Sequence, residues 1–158
     1  EDHVDAVDVA GAVTAAGLDA YAFTPGPGKA VPTLGEMIRS GKRLVVMLEA
    51  GDGRPGAPWL VNGFEFVQET PYTFPTVGSF TCDENRGPSD APLLQINHWL
   101  SGFTSLVSNA QLANTADVLG GRAEQCRDER GTQPTFVAVN YADIGDLIAV
   151  VNRLNGVG

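Results

Sequence analysis

No apolar run in this sequence approaches the roughly 20 residues a helix needs to cross a bilayer, so no transmembrane segment is expected. Basic charge is scarce too. Ten Lys and Arg stand against 19 Asp and Glu, a formal net charge of -9 that repels phosphate backbones and anionic headgroups at long range. With no basic stripe to follow, nucleic acid is excluded as an expected partner. Cysteine occurs only at Cys82 and Cys126, without a C-x-x-C or a histidine at zinc spacing, which argues against a zinc or redox motif. A disulfide and two buried thiols both remain open. Thr24-Pro25-Gly26-Pro27-Gly28 lacks the Lys-Ser/Thr of a phosphate loop, and neither G-x-S-x-G nor H-E-x-x-H occurs. Glu1 is no initiator Met, so the chain reads as trimmed at its N-terminus with no uncleaved signal.

What is present fits one globular domain, or one large piece of a domain. The 158 residues are 43% apolar, enough to bury a core. Nineteen glycines, ten prolines and rare lysine make the composition loop-rich, as suits an exported protein.

Apolar positions Ala6, Val9, Ala10, Val13 and Ala16 repeat at helical spacing between Asp5 and Leu18. Ala20 to Phe23 reads as a short strand. Thr33 and Glu36 form a capping box before Leu34, Met37 and Ile38, with Gly41 as the stop. Arg43 to Leu48 is a near-continuous apolar run, the pattern of a parallel strand covered on both faces. Trp59, Leu60, Phe64 and Val67 predict a helix or turn, followed by an aromatic loop from Tyr72 to Phe80 that is expected to pack over a barrel mouth rather than touch a lipid interface. Leu93 to Ile96 is a second buried strand, ending in Asn97-His98-Trp99. Leu112, Ala116, Leu119, Ala123 and Cys126 predict one long helix from Ser108, bent at Gly120-Gly121. Thr135 to Val139 is the third long strand, and Asp143 is expected to cap the last helix.

A helix followed by four strand-helix units implies a parallel sheet. A doubly wound sheet would be complete at this length, whereas an eight-stranded barrel needs about 250 residues. In either architecture ligands bind at strand C-terminal ends, where Glu49, Asn97, His98, Trp99, Asn140 and Tyr141 fall. An acid, amides, an imidazole and two ring faces suit a polyol. His98 alone reads more readily as a packed, hydrogen-bonded residue than as a catalyst. Cys82 and Cys126 lie toward strand N-terminal ends, where a bridge is geometrically plausible and distant from that face.

Pro32-Thr33-Leu34-Gly35-Glu36-Met37-Ile38, Arg43-Leu44-Val45-Val46, the Asn97-His98-Trp99 strand end, Cys126, Pro134 to Asn140 and Gly145-Asp146-Leu147 together resemble the phospholipase C-like phosphodiesterases. More narrowly, they resemble exported actinobacterial and plant proteins with a phosphatidylinositol phospholipase C X-type domain. The resemblance implies that residues 1–158 are the C-terminal half of a (β/α)8 TIM-type barrel. In that family two histidines from the first strands serve as general base and acid, and those segments are absent here. Glu1-Asp2-His3 looks like the Glu-Asn-His stretch of calcium-dependent members, which makes Glu1 a candidate Ca²⁺ ligand. Where relatives that cleave phosphorylated inositides carry basic residues, the matching strand here finishes in acidic Glu49.

The expected function is a phospholipase C-type phosphodiesterase acting on an inositol-lipid-like headgroup or another phosphodiester. This chain would supply the headgroup wall, and alone it would be inactive. The open sheet edge implies a partner, either the missing N-terminal half or a second copy. A secreted, catalytically inert barrel that acts as a binding module is the alternative.

Overall fold

The computed structural model describes residues 4–26, 30–49, 56–102 and 106–157. Two compact units divide at Phe66 and Val67, and both are α/β with parallel strands.

The first unit begins with α1, Ala6–Ala15. Its Ala6, Val9, Ala10 and Val13 lie at i, i+3, i+4 and i+7, one face of a helix, and pack on Ala22, Ala57, Trp59 and Leu60. The strand expected at Ala20 to Phe23 is instead a 3₁₀ turn, Asp19–Tyr21, followed by a single parallel bridge from Ala22 to Leu44. Helix α2, Leu34–Ser40, carries the expected capping box: Glu36 N–H donates to Thr33 Oγ1 at 3.2 Å and Thr33 N–H donates to Glu36 Oε2 at 2.8 Å. Gly41 closes it. Strand β1 is only Val46–Leu48 and half-buried, shorter and more exposed than its apolar run predicts. It pairs with β2, Leu60–Asn62, in the register Val46 to Leu60.

The second unit holds a three-stranded parallel sheet in the order β3, β4, β5: Val67–Glu69, Leu93–His98 and Pro134–Val139. Of the helix or turn expected around Phe64, the structure has the turn, 3₁₀ at Gly63–Glu65, with the short strands β2 and β3 on either side of it. Leu60, Phe64 and Val67 mimic helical spacing because that turn carries Phe64 between two very short strands. The regular strand-helix alternation is thus broken, and neither sheet closes into a barrel.

Helix α4, Ala116–Arg130, packs on β4 and β5, and α3, Val107–Ala113, and α5, Leu147–Leu154, pack on α4. The long helix predicted from Ser108 is two helices. Its break falls at Asn114-Thr115 rather than Gly120-Gly121, because Thr115 caps α4 through Val118 N–H at 3.4 Å. Helix α5 starts at Leu147, after Asp146, so Asp143 is not its cap. The Asp146 carboxylate instead accepts from Ala116 N–H at 2.8 Å. Cys82 and Cys126 form a disulfide, Cα to Cα 5.1 Å across 44 residues of sequence, packed with Ile96, Ala123 and Leu154. Closing a loop of that length stabilises by about 4 kcal/mol on the chain-entropy account.

One close approach fixes the edge of β3. Glu69 N–H donates to the Arg86 carbonyl at 2.9 Å and Asn85 N–H to the Glu69 carbonyl at 3.0 Å, so residues 85–86 cover that edge. Gly87 makes this possible: its φ is +89°, and a Cβ there would lie 2.0 Å from the Val67 carbonyl oxygen. Gly87→Ala is expected to destabilise the fold by about 3 kcal/mol or more, read as a fall in the urea midpoint with an unchanged slope.

Candidate functional site

The strand C-terminal ends of the second unit gather a buried polar network. Glu69, at the end of β3, is 1% exposed. Its carboxylate accepts from Asn85 Nδ2 at 3.0 Å, the Arg86 guanidinium, Gln95 Nε2 at 3.4 Å and Asn97 Nδ2 at 3.0 Å. A buried acid is tolerable only with such partners. Asn97 Nδ2 also donates to the Thr70 carbonyl at 2.8 Å, and its Oδ1 accepts from Gln95 Nε2 at 2.9 Å.

Arg122, on α4, reaches into the same network. Its Nη1 donates to the Asn97 carbonyl at 2.6 Å and approaches His98 Nδ1 at 3.3 Å. Its Nη2 donates to Thr70 Oγ1 at 3.2 Å and the Thr81 carbonyl at 2.8 Å. The guanidinium carbon lies 4.7 Å from the Phe74 ring centre and 4.4 Å from that of Phe80, two cation–π contacts. Burial lowers its pKa to about 10, which leaves it charged at neutral pH.

His98 is fully buried, its ring stacked on Phe80 with centroids 4.4 Å apart. Nε2 faces the Ala113 carbonyl at 2.9 Å. A carbonyl only accepts and a guanidinium only donates, so these neighbours assign the neutral tautomer with its proton on Nε2. Burial is the main cause that lowers the His98 pKa to about 4. The Ala113 hydrogen bond opposes the shift, and the Arg122 charge adds to it. The imidazole is therefore a neutral tie between α3, α4 and β4.

The other residues of the expected ligand face separate from this pair. Trp99 and Asn140 line a shallow surface crevice, too narrow to enclose a water molecule, with Leu106, Asn109 and Asn114. Trp99, just past β4, and Asn109, on α3, meet at this crevice. Tyr141 follows β5 with φ 52°, and is 40% exposed. Asn114 Nδ2 donates to the carbonyls of Asn140 at 3.0 Å, Tyr141 at 3.4 Å and Ile144 at 3.1 Å, which ties that loop to the α3–α4 junction. Glu49 is an exposed turn residue of the first unit, just past β1. Glu1 lies outside the described residues. Among the described residues no group of three or more His, Cys, Asp or Glu is placed to hold a metal ion.

Glu69, Asn109, Asn114 and Arg122 escape the sequence reading, yet two carried a signal. Arg122 falls on the apolar stripe of Leu119, Ala123 and Cys126, where a cation is conspicuous. Glu69 would join the strand-end residues once Val67–Glu69 is read as a strand.

The family model described as PI-PLC X 1 matches residues 1–155. A curated protein of Arthroderma benhamiae named "Uncharacterized secreted protein" is 32% identical, the match covering 80% of this chain and 33% of the relative. Another from the same organism, "PI-PLC X domain-containing protein 1", is 25% identical over 89% of this chain and 50% of its own length. The chain thus spans a third to a half of the curated relatives it matches. No solved structure matches.

Because the folded pKa of His98 lies below its ordinary 6.5, the unfolded chain binds the extra proton between those values. The contribution is complete above pH 6.5 and is lost as pH falls toward 4, about 3 kcal/mol in all. Urea unfolding at stepped pH should show this decline, and H98N should lack it. Parallel pH slopes for the two proteins would contradict the neutral-tie assignment.

Proposed function

This chain belongs to the PI-PLC X family, and from that premise we propose that it forms the headgroup-binding part of a secreted phospholipase C-type phosphodiesterase. The substrate is an inositol-lipid-like headgroup or another phosphodiester. The observation that carries the reading is the family match along residues 1–155, joined to the crevice that Trp99, just past β4, lines with Asn109 of α3. Trp99 offers a ring face to the apolar side of a polyol and Asn109 an amide to its hydroxyls, with Asn140 beside them on the crevice wall. Tyr141, just past β5, completes the proposed wall; Glu49 stands at a strand end of the first unit. Asn97 and His98 support it from behind.

The parallel strands are read as the C-terminal half of a (β/α)8 barrel, with β5, paired only to β4 among the described residues, completed by the rest of the longer protein or by a second copy. The proton-transferring base and acid then come from that remainder, since both ring nitrogens of His98 are engaged. Calcium belongs to the same reading, with Glu1 as one oxygen ligand that would help neutralise a phosphoryl charge. Secretion is supported by the name of one relative and by the disulfide.

The engagement of His98 favours a second reading, a binding module without chemistry. Vesicles of phosphatidylinositol separate the two. The full-length protein should release water-soluble inositol phosphate, while residues 1–158 alone release none. W99A and N109A should each raise KM about tenfold with kcat retained, the pattern of lost ground-state binding. Vesicle binding without hydrolysis of any phosphodiester would leave the binding module standing instead. E1Q should weaken calcium binding by roughly tenfold in titration calorimetry; unchanged affinity removes Glu1 from the ligand set.

A further inference from the structure

Three residues one turn apart on α4 grip one segment of the loop after β3. Arg122 donates to the Thr81 carbonyl at 2.8 Å, Cys126 is bonded to Cys82, and Arg130 donates to the Cys82 carbonyl at 3.2 Å and pairs with Glu84 at 3.0 Å. Positions i, i+4 and i+8 share a helix face. At the other end of this segment, Phe74 N–H donates to Ser101 Oγ at 3.1 Å and Ser101 N–H to the Phe74 carbonyl at 2.8 Å. Between the anchors, residues 75–78 are exposed. Thr76 and Ser79 are held there by bonds to each other. Phe74 and Phe80 meet edge to face at 5.0 Å and lie over Arg122, and Phe80 also covers His98.

We infer that residues 74–82 form a strap, latched by the Cys82–Cys126 disulfide, that shuts Arg122 and His98 away from water and holds the imidazole out of acid–base use until the latch is opened. The latch sits beside the gripping contact itself, since Thr81 and Cys82 are neighbours. Losing the covalent tie loosens the Thr81 bond and lifts Phe80, the ring against the imidazole. Among the described residues Arg122 of α4 is the charged group in contact with His98. Helix α3 presents only the Ala113 carbonyl, the strap presents the Phe80 ring, and Glu69 of β3 lies beyond Asn97.

Opening is thiol–disulfide exchange with a dithiol. One dithiol thiolate attacks a latch sulfur, and the other sulfur leaves and takes a proton. The second dithiol thiol then resolves the mixed disulfide, so Cys82 and Cys126 end as thiols and the dithiol as its disulfide.

The test is nuclear magnetic resonance of the His98 ring nitrogens against pH in the full-length protein, with amide hydrogen exchange across 74–82. The oxidised protein should keep Nε2 protonated with a midpoint near 4. After dithiothreitol, and in C82A/C126A, the midpoint should climb toward 6.5 and strap amides should exchange at least about tenfold faster. Should the double variant fail to fold, F80A with the latch intact should raise the midpoint in the same way. A folded reduced protein whose His98 midpoint and strap protection match the oxidised form would overturn the inference, as would an unmoved midpoint in F80A.

Discussion

The second unit is organised around one buried cation. Moving a guanidinium out of water costs several kcal/mol even after relaxation, and Arg122 is 4% exposed with no carboxylate among its hydrogen-bond partners. Two carbonyls, a hydroxyl and an imidazole nitrogen replace its water, with an aromatic ring at Phe74 and another at Phe80. Its Nε has no partner among the described residues, an unmade bond worth about 1 to 3 kcal/mol. The arrangement holds because the four acceptors come from three different parts of the chain. Thr70 follows β3, Thr81 lies in the loop, and Asn97 and His98 end β4, so one side chain fixes the relative positions of three segments.

That cation also settles the chemistry of its neighbour. An imidazolium would place an N–H against the guanidinium and leave two positive charges about 3 Å apart in a dry site, where such repulsion is costly. His98 therefore stays neutral, donating to α3 and accepting from α4. The Asn97-His98-Trp99 motif thus divides within three residues. Asn97 and His98 join the internal network, while Trp99, just past the strand, turns to the crevice. Sequence adjacency had made them look like one site, but burial separates support from surface.

Legibility in the sequence followed length and local chemistry. The Thr33–Glu36 box, β4 and β5 were readable because capping and six-residue apolar strands have strong signatures. Three-residue strands do not: Leu60–Asn62 and Val67–Glu69 are shorter than one period of any reliable pattern, and the turn at Phe64 gave them a helical disguise. The break at Asn114 was hidden because Leu112, Ala116 and Leu119 keep their spacing across it. Beside the local Thr115 cap, a non-local tie holds it, the reach of the Asn114 amide to carbonyls 26 to 30 residues away. Arg122 shows the same limit, since its position was anomalous in sequence but its acceptors came from folding.

The rim beside the crevice carries a further constraint of this kind. Tyr141 sits at φ 52°, a conformation that costs a non-glycine residue about 1 to 2 kcal/mol. Its carbonyl nevertheless accepts from Ile144 N–H at 2.9 Å, and the Asn114 amide fastens the carbonyls on either side of that turn. Gly145 lets the loop close, because a Cβ there would lie 2.5 Å from the Asn114 carbonyl oxygen. Strain held by several independent bonds makes a rigid surface. The recognition proposed for Trp99, Asn109 and Asn140 would draw on that rigidity, because a fixed rim holds its groups in place for a ligand.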